Sequence, residues 1–181
     1  RSGAGVGGFM GAYGGHKDPL LLSQAREALD LARQLKDDAA ICSATFMLVQ
    51  YSWSPDNAVE RRDLSDEACA AAKRTEVGFR DHPLVQRSYL ALELGDIAGF
   101  RQVTAELAEL LEHARFKPLS YLVPSHAVTL HMAQGQLELA EAARAEYASA
   151  AENPDAGMTA VGQLSNIRDL QGRFGELEPL W

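Results

Sequence analysis

The first residues to test for chemistry are the glycines near the start. Gly3-Ala4-Gly5-Val6-Gly7-Gly8 satisfies the spacing G-x-G-x-x-G. In a dinucleotide site those glycines turn the chain sharply from a strand into a helix whose amides hold a pyrophosphate. Here no strand pattern precedes the run, more glycine follows it, and no Gly-Lys-Ser/Thr ending is present. The stretch 1–17 therefore reads as a flexible glycine-rich segment. His126 and His131 are five apart, which is about 140° around a helix, so they do not face one metal. His113 follows Glu112 on a polar face. Cys42 and Cys69 sit in alanine-rich helical runs, read as small core residues, and lack redox or metal spacing. No H-E-x-x-H and no G-x-S-x-G occurs. No catalytic residue, metal or cofactor is expected, and the chain is read as no enzyme. A helical enzyme assembling a site from distant residues would need a closed pocket around His126, Tyr121 or Asp169 with shifted pKa values.

The elements that would position a site are helices. Alanine and leucine dominate, β-branched residues are sparse, and Glu, Arg and Gln fill the polar positions. Three phrases repeat: Leu94-Gly95-Asp96-Ile97, Gln134-Gly135-Gln136-Leu137 and Gln171-Gly172-Arg173-Phe174. Their glycines are 40 and 37 residues apart, a period that marks stacked helical hairpins. Each glycine is expected to end a helix in the left-handed conformation. Helices are predicted from Pro19, with Asp18 as cap, to Lys36-Asp37-Asp38, and then over 39–53, 58–75, 82–94, 97–114, 119–134, 137–151 and 156–171. Pro55-Asp56-Asn57 reads as a stop followed by a cap, and Trp53 reads as core. Longer breaks near 37, 79, 117 and 154 should alternate with the tight turns. The closing helix is barely begun at Trp181, which implies a fragment of a longer protein.

In a stacked hairpin the first helix lines the inner wall. Counting back three, six, ten and thirteen residues from each turn glycine stays on one helical face. That gives Leu92, Tyr89, Val85 and His82, then Met132, Thr129, Ser125 and Leu122, then Asp169, Asn166, Gly162 and Thr159. Tyr51 and Gln50 occupy the equivalent helix before Ser54-Pro55. The candidate binding residues are Tyr51, Tyr89, Ser125, Thr129, Met132, Asn166 and Asp169. Such a wall suits a peptide segment or a modest organic ligand; the plainer reading is a packed or solvated face.

The net charge of −8 argues against a nucleic-acid surface, which needs clustered Lys and Arg. Arg61-Arg62 and Lys73-Arg74 stand among acidic residues and read as solvated faces. No apolar run is long enough to span a bilayer, and nothing demands an oxidising compartment, so a cytoplasmic location is expected.

The turn phrases, with Gly135-Gln136-Leu137-Glu138-Leu139-Ala140 and Gly175-Glu176-Leu177-Glu178, resemble tetratricopeptide repeats. Further phrases resemble the helical-repeat region of LuxR-type or MalT-like ATPases and adenylate-cyclase-linked bacterial regulators, especially of actinobacteria. They are Ala28-Leu29-Asp30-Leu31-Ala32-Arg33-Gln34-Leu35, Trp53-Ser54-Pro55-Asp56-Asn57-Ala58-Val59-Glu60-Arg61-Arg62 and Leu92-Glu93-Leu94-Gly95-Asp96. The resemblance spans 18–181. Phe100 and Arg144 depart from it, standing where a small and an apolar residue are usual. It implies an all-α fold, a right-handed α-α superhelix of roughly four TPR-like hairpins. It also implies a non-catalytic region that senses an inducer or binds a peptide or protein partner, with self-association into a homo-oligomer as the alternative. Neither a phosphate loop nor a DNA-binding helix-turn-helix is visible, so no ATP hydrolysis and no direct nucleic-acid contact are expected.

Overall fold

The computed structural model describes residues 19–75, 81–112, 120–150 and 154–180, and among them the chain is helical with no strand. In order come α1 (Pro19–Leu35), α2 (Asp38–Tyr51), α3 (Ala58–Ala72), α4 (Asp81–Glu93), α5 (Ile97–Glu112), α6 (Leu122–Ala133), α7 (Leu137–Ala150) and α8 (Pro154–Leu170). Short 3-10 turns occupy Pro55–Asn57 and Phe174–Leu180. The chain divides within α5 into two compact units, 1–103 and 104–181. The glycine-rich start, Asp18, His113 and the expected breaks near 79 and 117 lie outside the described residues.

The tight turns share one construction. Gly95, Gly135 and Gly172 have φ of 72°, 72° and 69°, the left-handed conformation expected of them. In each, the residue after the glycine donates its N–H five residues back: Asp96 to Ala91 O at 2.7 Å, Gln136 to His131 O at 2.9 Å and Arg173 to Arg168 O at 2.7 Å. The glycine N–H reaches three back, to Leu92, Met132 and Asp169. These two bonds satisfy helix-end carbonyls that would otherwise lack donors. Asp96 then turns round to cap α5, its Oδ1 accepting from the Gly99 N–H at 2.8 Å.

A fourth copy sits at Lys36, the one non-glycine residue with positive φ among those described (55°). Asp37 N–H donates to Ala32 O at 3.0 Å, and Asp37 Oδ1 accepts from Ala40 N–H at 3.0 Å to cap α2. The break near 37 is therefore a tight turn, not one of the longer connections. Three helices, α2, α3 and α4, separate it from the turn at Gly95, whereas two separate Gly95 from Gly135. From Gly95 onward the described tight turns recur every second helix, as expected; before it the pattern is offset by one helix.

In the first unit α1 packs on α2, α2 on α3, and α4 on both α3 and α2. Leu29 and Ala32 of α1 meet Ile41, Cys42, Ala44 and Leu48 of α2 and Ala71 and Ala72 of α3. The small residues of α3 bring its backbone close, and Cys42 Sγ lies 3.5 Å from Ala68 O. Cys42 is the core residue expected; Cys69 is only half-buried. Phe100 is fully buried where the repeat pattern has a small residue. In the second unit α6 packs on α7 and α8, and the turn at Phe174–Leu180 packs on α8. Val128, Ala140, Tyr147, Ala160 and Ile167 form its core.

The turns give a paired prediction. A Cβ at Gly135 would meet no atom within 4 Å, so a substitution there costs only backbone strain. Gly135→Val should lower stability by about 1 kcal/mol or more. Lys36→Gly should instead raise it, by about 0.5 kcal/mol once glycine's greater freedom in the unfolded chain is subtracted. Urea denaturation checks both; movement of the two midpoints in the same direction would contradict this account of the turns.

Candidate functional site

The connection between α2 and α3 builds the most distinctive site. Helix α2 stops at Tyr51, two residues before the expected end, because Pro55 forces the chain ahead of it into an extended path. Helix α3 then buries Ala58, Arg61, Ser65, Ala68 and Ala72, a stripe at helical spacing with an arginine in it. Arg61 is 1% exposed, so it belongs to no solvated face. A buried guanidinium must find acceptors for its fixed fork of donors. Its Nε donates to Asn57 Oδ1 at 2.9 Å. Its Nη2 donates to Ser54 O at 2.9 Å and to Glu93 Oε1 at 2.5 Å.

Asn57 does not cap α3 with its side chain, as the sequence suggested. Its Nδ2 donates to Ser52 O at 2.7 Å while its Oδ1 holds Arg61. The loop is thus tied from inside, and Glu93, at the end of α4, is tied to it. Trp53 is 54% exposed and corrects the core expectation. Leaving the helix two residues earlier frees its ring to lie 5.8 Å from the Arg61 guanidinium carbon, a cation–π contact.

Beside this cluster is a cavity of about 80 Å³ lined by Val49, Gln50, Trp53, Arg61, Gln86, Tyr89, Leu90 and Glu93. Gln86 is buried and donates from Nε2 to Phe46 O at 3.1 Å. Its Oε1 is buried without a donor. At the other end of α4, His82 stacks edge-on against Phe46 with centroids 5.4 Å apart. A hydrogen bond to Asp81 raises the His82 pKa.

A wider groove of about 650 Å³ in the same unit lies between α1 and α3. Its charges are largely satisfied across it. Arg33 binds Glu67 at 2.7 Å, and Arg26 approaches Glu60 at 3.8 Å. The Arg33 hydrogen bond holds the Glu67 carboxyl below its ordinary pKa.

The expected wall residues meet different fates. Tyr89 is exposed and lines the cavity with Gln50, while Tyr51 is half-buried and outside its lining. Asn166 and Asp169 are exposed on α8. Ser125, Thr129 and Met132 instead face the interior of the second unit. Ser125 is buried with its hydroxyl on Leu122 O at 2.9 Å. Gln163 Nε2 donates to Ser125 O at 2.9 Å and to Thr129 Oγ1 at 3.2 Å, and Tyr147 donates to Gln163 Oε1 at 2.6 Å. Met132 packs on the apolar core. The spacing that puts these three on one helical face is correct, and that face is the one covered by α8.

His126 is buried at 1% exposure with Nδ1 3.1 Å from Thr104 Oγ1. Burial lowers its pKa to about 4, so it is neutral at pH 7. Among the described residues no three His, Cys, Asp or Glu side chains converge as a metal site, and no helix is long and apolar enough to cross a membrane.

No family model matches this chain, and no curated protein or solved structure is significantly similar to it.

The buried arginine and the buried histidine each give a prediction. Arg61→Lys keeps the charge but offers no planar fork for three acceptors in different directions. It should cost about 2 kcal/mol, and Arg61→Met about 3 kcal/mol because Glu93 and Asn57 then lose their partner. Equilibrium denaturation measures both, and a lysine variant as stable as the parent would remove Arg61 from this role.

His126 has a folded pKa near 4 against an ordinary 6.5. Between those values the unfolded chain takes up a proton that the folded chain refuses. Stability therefore falls as pH drops from 6.5 toward 4. His126→Gln should lose about 2 kcal/mol less than the parent between pH 7 and 4.5. The remaining titrating groups, His82 among them, are common to both proteins and cancel in the difference. Parallel pH profiles would contradict the buried neutral imidazole.

Proposed function

We propose that this chain is a non-catalytic ligand-sensing or protein-interaction module, part of a larger bacterial regulator of the LuxR or MalT-like kind. In this reading the helical hairpins continue into a right-handed TPR-like superhelix and act in the cytoplasm. The recurring left-handed turn with its shared cap, at Lys36, Gly95, Gly135 and Gly172, supports the repeat architecture. The binding role is carried by one observation. The α4 face that was expected to line a wall presents Tyr89 beside a cavity lined by a buried arginine held through its Nε and Nη2.

A rigid polar floor with exposed aromatic residues at its edge is the composition of a recognition site. The occupant is a peptide or protein segment or a small-molecule inducer, reached through Trp53 and Tyr89. Both rings are substantially exposed, at 54% and 41%, so replacing them leaves the core intact. Native mass spectrometry of the chain recovered from a lysate of its source organism tests this. The expected result is a retained mass on the parent that is lost in the double variant Trp53→Ala, Tyr89→Ala with unchanged helicity. Retention of the same mass by the variant would remove the site.

Self-association is a second reading, favoured by α1. Leu31 and Leu35 are exposed on the side of that helix away from Leu29 and Ala32. An exposed apolar pair of this kind is suited to stacking against another copy. Sedimentation of Leu31→Glu, Leu35→Glu beside the parent separates the readings: a parent that is monomeric at all concentrations excludes this one.

A further inference from the structure

We propose that the cavity beside Arg61 is a receptor for a single primary carboxamide group, an inference that rests on the binding role of this face. The cavity, at about 80 Å³, holds a few water-sized groups and no ring system. It can therefore bury only the tip of a ligand. The polar groups around it define that tip.

Gln86 lines the cavity and carries a buried acceptor, Oε1, that has no donor. Its other end is fixed, because Nε2 donates to Phe46 O at 3.1 Å, so the amide does not simply turn over to relieve the mismatch. The occupant must supply an N–H or O–H. Arg61 spends Nε on Asn57 and Nη2 on Ser54 O and Glu93; Nη1 makes no hydrogen bond to the described residues and is not among the buried unpartnered atoms, so its donors are open to a carbonyl. The occupant must therefore also supply an acceptor.

Charge narrows the choice. A carboxylate brings no donor to Gln86 and meets the Glu93 carboxylate, while an ammonium brings no acceptor and meets Arg61. An apolar group leaves both Gln86 Oε1 and the guanidinium unanswered. A neutral group with a donor and an acceptor answers both; a primary carboxamide carries them on two atoms of one carbon, whereas a hydroxyl has to serve both from a single oxygen. Tyr89 and Trp53, exposed at the same site, offer aromatic surface to whatever carries it.

This chemistry has two sources, a free small amide and the side chain of Asn or Gln in a polypeptide. The probes are acetamide, N,N-dimethylacetamide, acetate, and the N-acetyl-N′-methylamides of glutamine and glutamate. The readout is the chemical shift of the Trp53 indole N–H. Acetamide should shift it saturably, with Kd on the order of 10 mM, within reach of a ligand of four heavy atoms. Dimethylacetamide, which has no N–H, and acetate should not. Gln86→Met should weaken acetamide by about tenfold or more. A glutamine derivative that binds tighter than both acetamide and its glutamate counterpart identifies a polypeptide source, and acetamide binding as tightly as the glutamine derivative identifies a free amide.

Equal responses to acetamide and dimethylacetamide overturn the proposal, as does the absence of any shift, which would mean that water alone fills the cavity. The comparison of those two probes uses the unmodified protein, so it stands even if Gln86→Met folds poorly. Failure here is separable from failure of the binding role. A native ligand that depends on Trp53 and Tyr89 but is indifferent to Gln86→Met keeps that role and refutes the carboxamide.

Discussion

A buried guanidinium needs acceptors supplied by the fold, and that requirement organises the first unit. Arg61 sits in the alanine stripe by which α3 packs, so its donors cannot reach bulk solvent. Nε and Nη2 are answered by a loop carbonyl at Ser54, a loop side chain at Asn57 and the carboxylate of Glu93 on another helix. Each partner constrains more than itself. Asn57 can offer its oxygen to Arg61 only by aiming its nitrogen at Ser52 O, which closes the loop. Glu93 can reach only if α4 ends where it does. Hydrophobic residues in place of both Arg61 and Glu93 would pack without desolvation cost, yet would specify neither the loop path nor the end of α4. The ion pair is better understood as selecting one arrangement than as a large source of stability.

The turns solve a different problem with similar economy. A helix end leaves carbonyls without donors, and the next helix start leaves amides without acceptors. One residue after the left-handed position serves both: Asp37 and Asp96 donate their own N–H backward and accept forward through the side chain. This fixes the angle between consecutive helices using three residues. Glycine at the left-handed position carries no strain, whereas Lys36 does. The first turn keeps the same hydrogen bonds in spite of that strain, so the bonding pattern rather than the glycine is the common element.

The helices and three of the four tight turns were legible because periodicity and glycine report local physics. The Lys36 turn was missed because it lacks the glycine that announces the others, although Asp37 three residues before Ala40 is a cap signal. Arg61 was misread for an instructive reason. Its neighbours Arg62, Asp63 and Glu60 suggest a solvated face, but Ala58, Arg61, Ser65, Ala68 and Ala72 recur at helical spacing, and that stripe was the stronger signal. Trp53 was placed in the core by continuing α2 to its own position. The chain leaves the helix earlier, and a two-residue change in that boundary moves the ring to the surface.

The candidate wall shows where helical spacing stops being informative. Tyr89 and Thr129 occupy the same position relative to their turn glycines, six residues before Gly95 and Gly135. One is exposed beside a cavity; the other receives a hydrogen bond from Gln163 inside the second unit. Their own helices do not distinguish them. The difference comes from Gln163, which bridges α6 to Tyr147 by donating to Ser125 O and Thr129 Oγ1 while accepting the tyrosine hydroxyl. Polar residues at Ser125 and Thr129 are therefore satisfied within the fold and have no remaining demand for a ligand. Gln86, by contrast, has one end satisfied and one end not. Two buried glutamines thus separate a packed face from one that still has chemistry to offer, and the number of unanswered hydrogen bonds, more than the amino-acid type, makes the distinction.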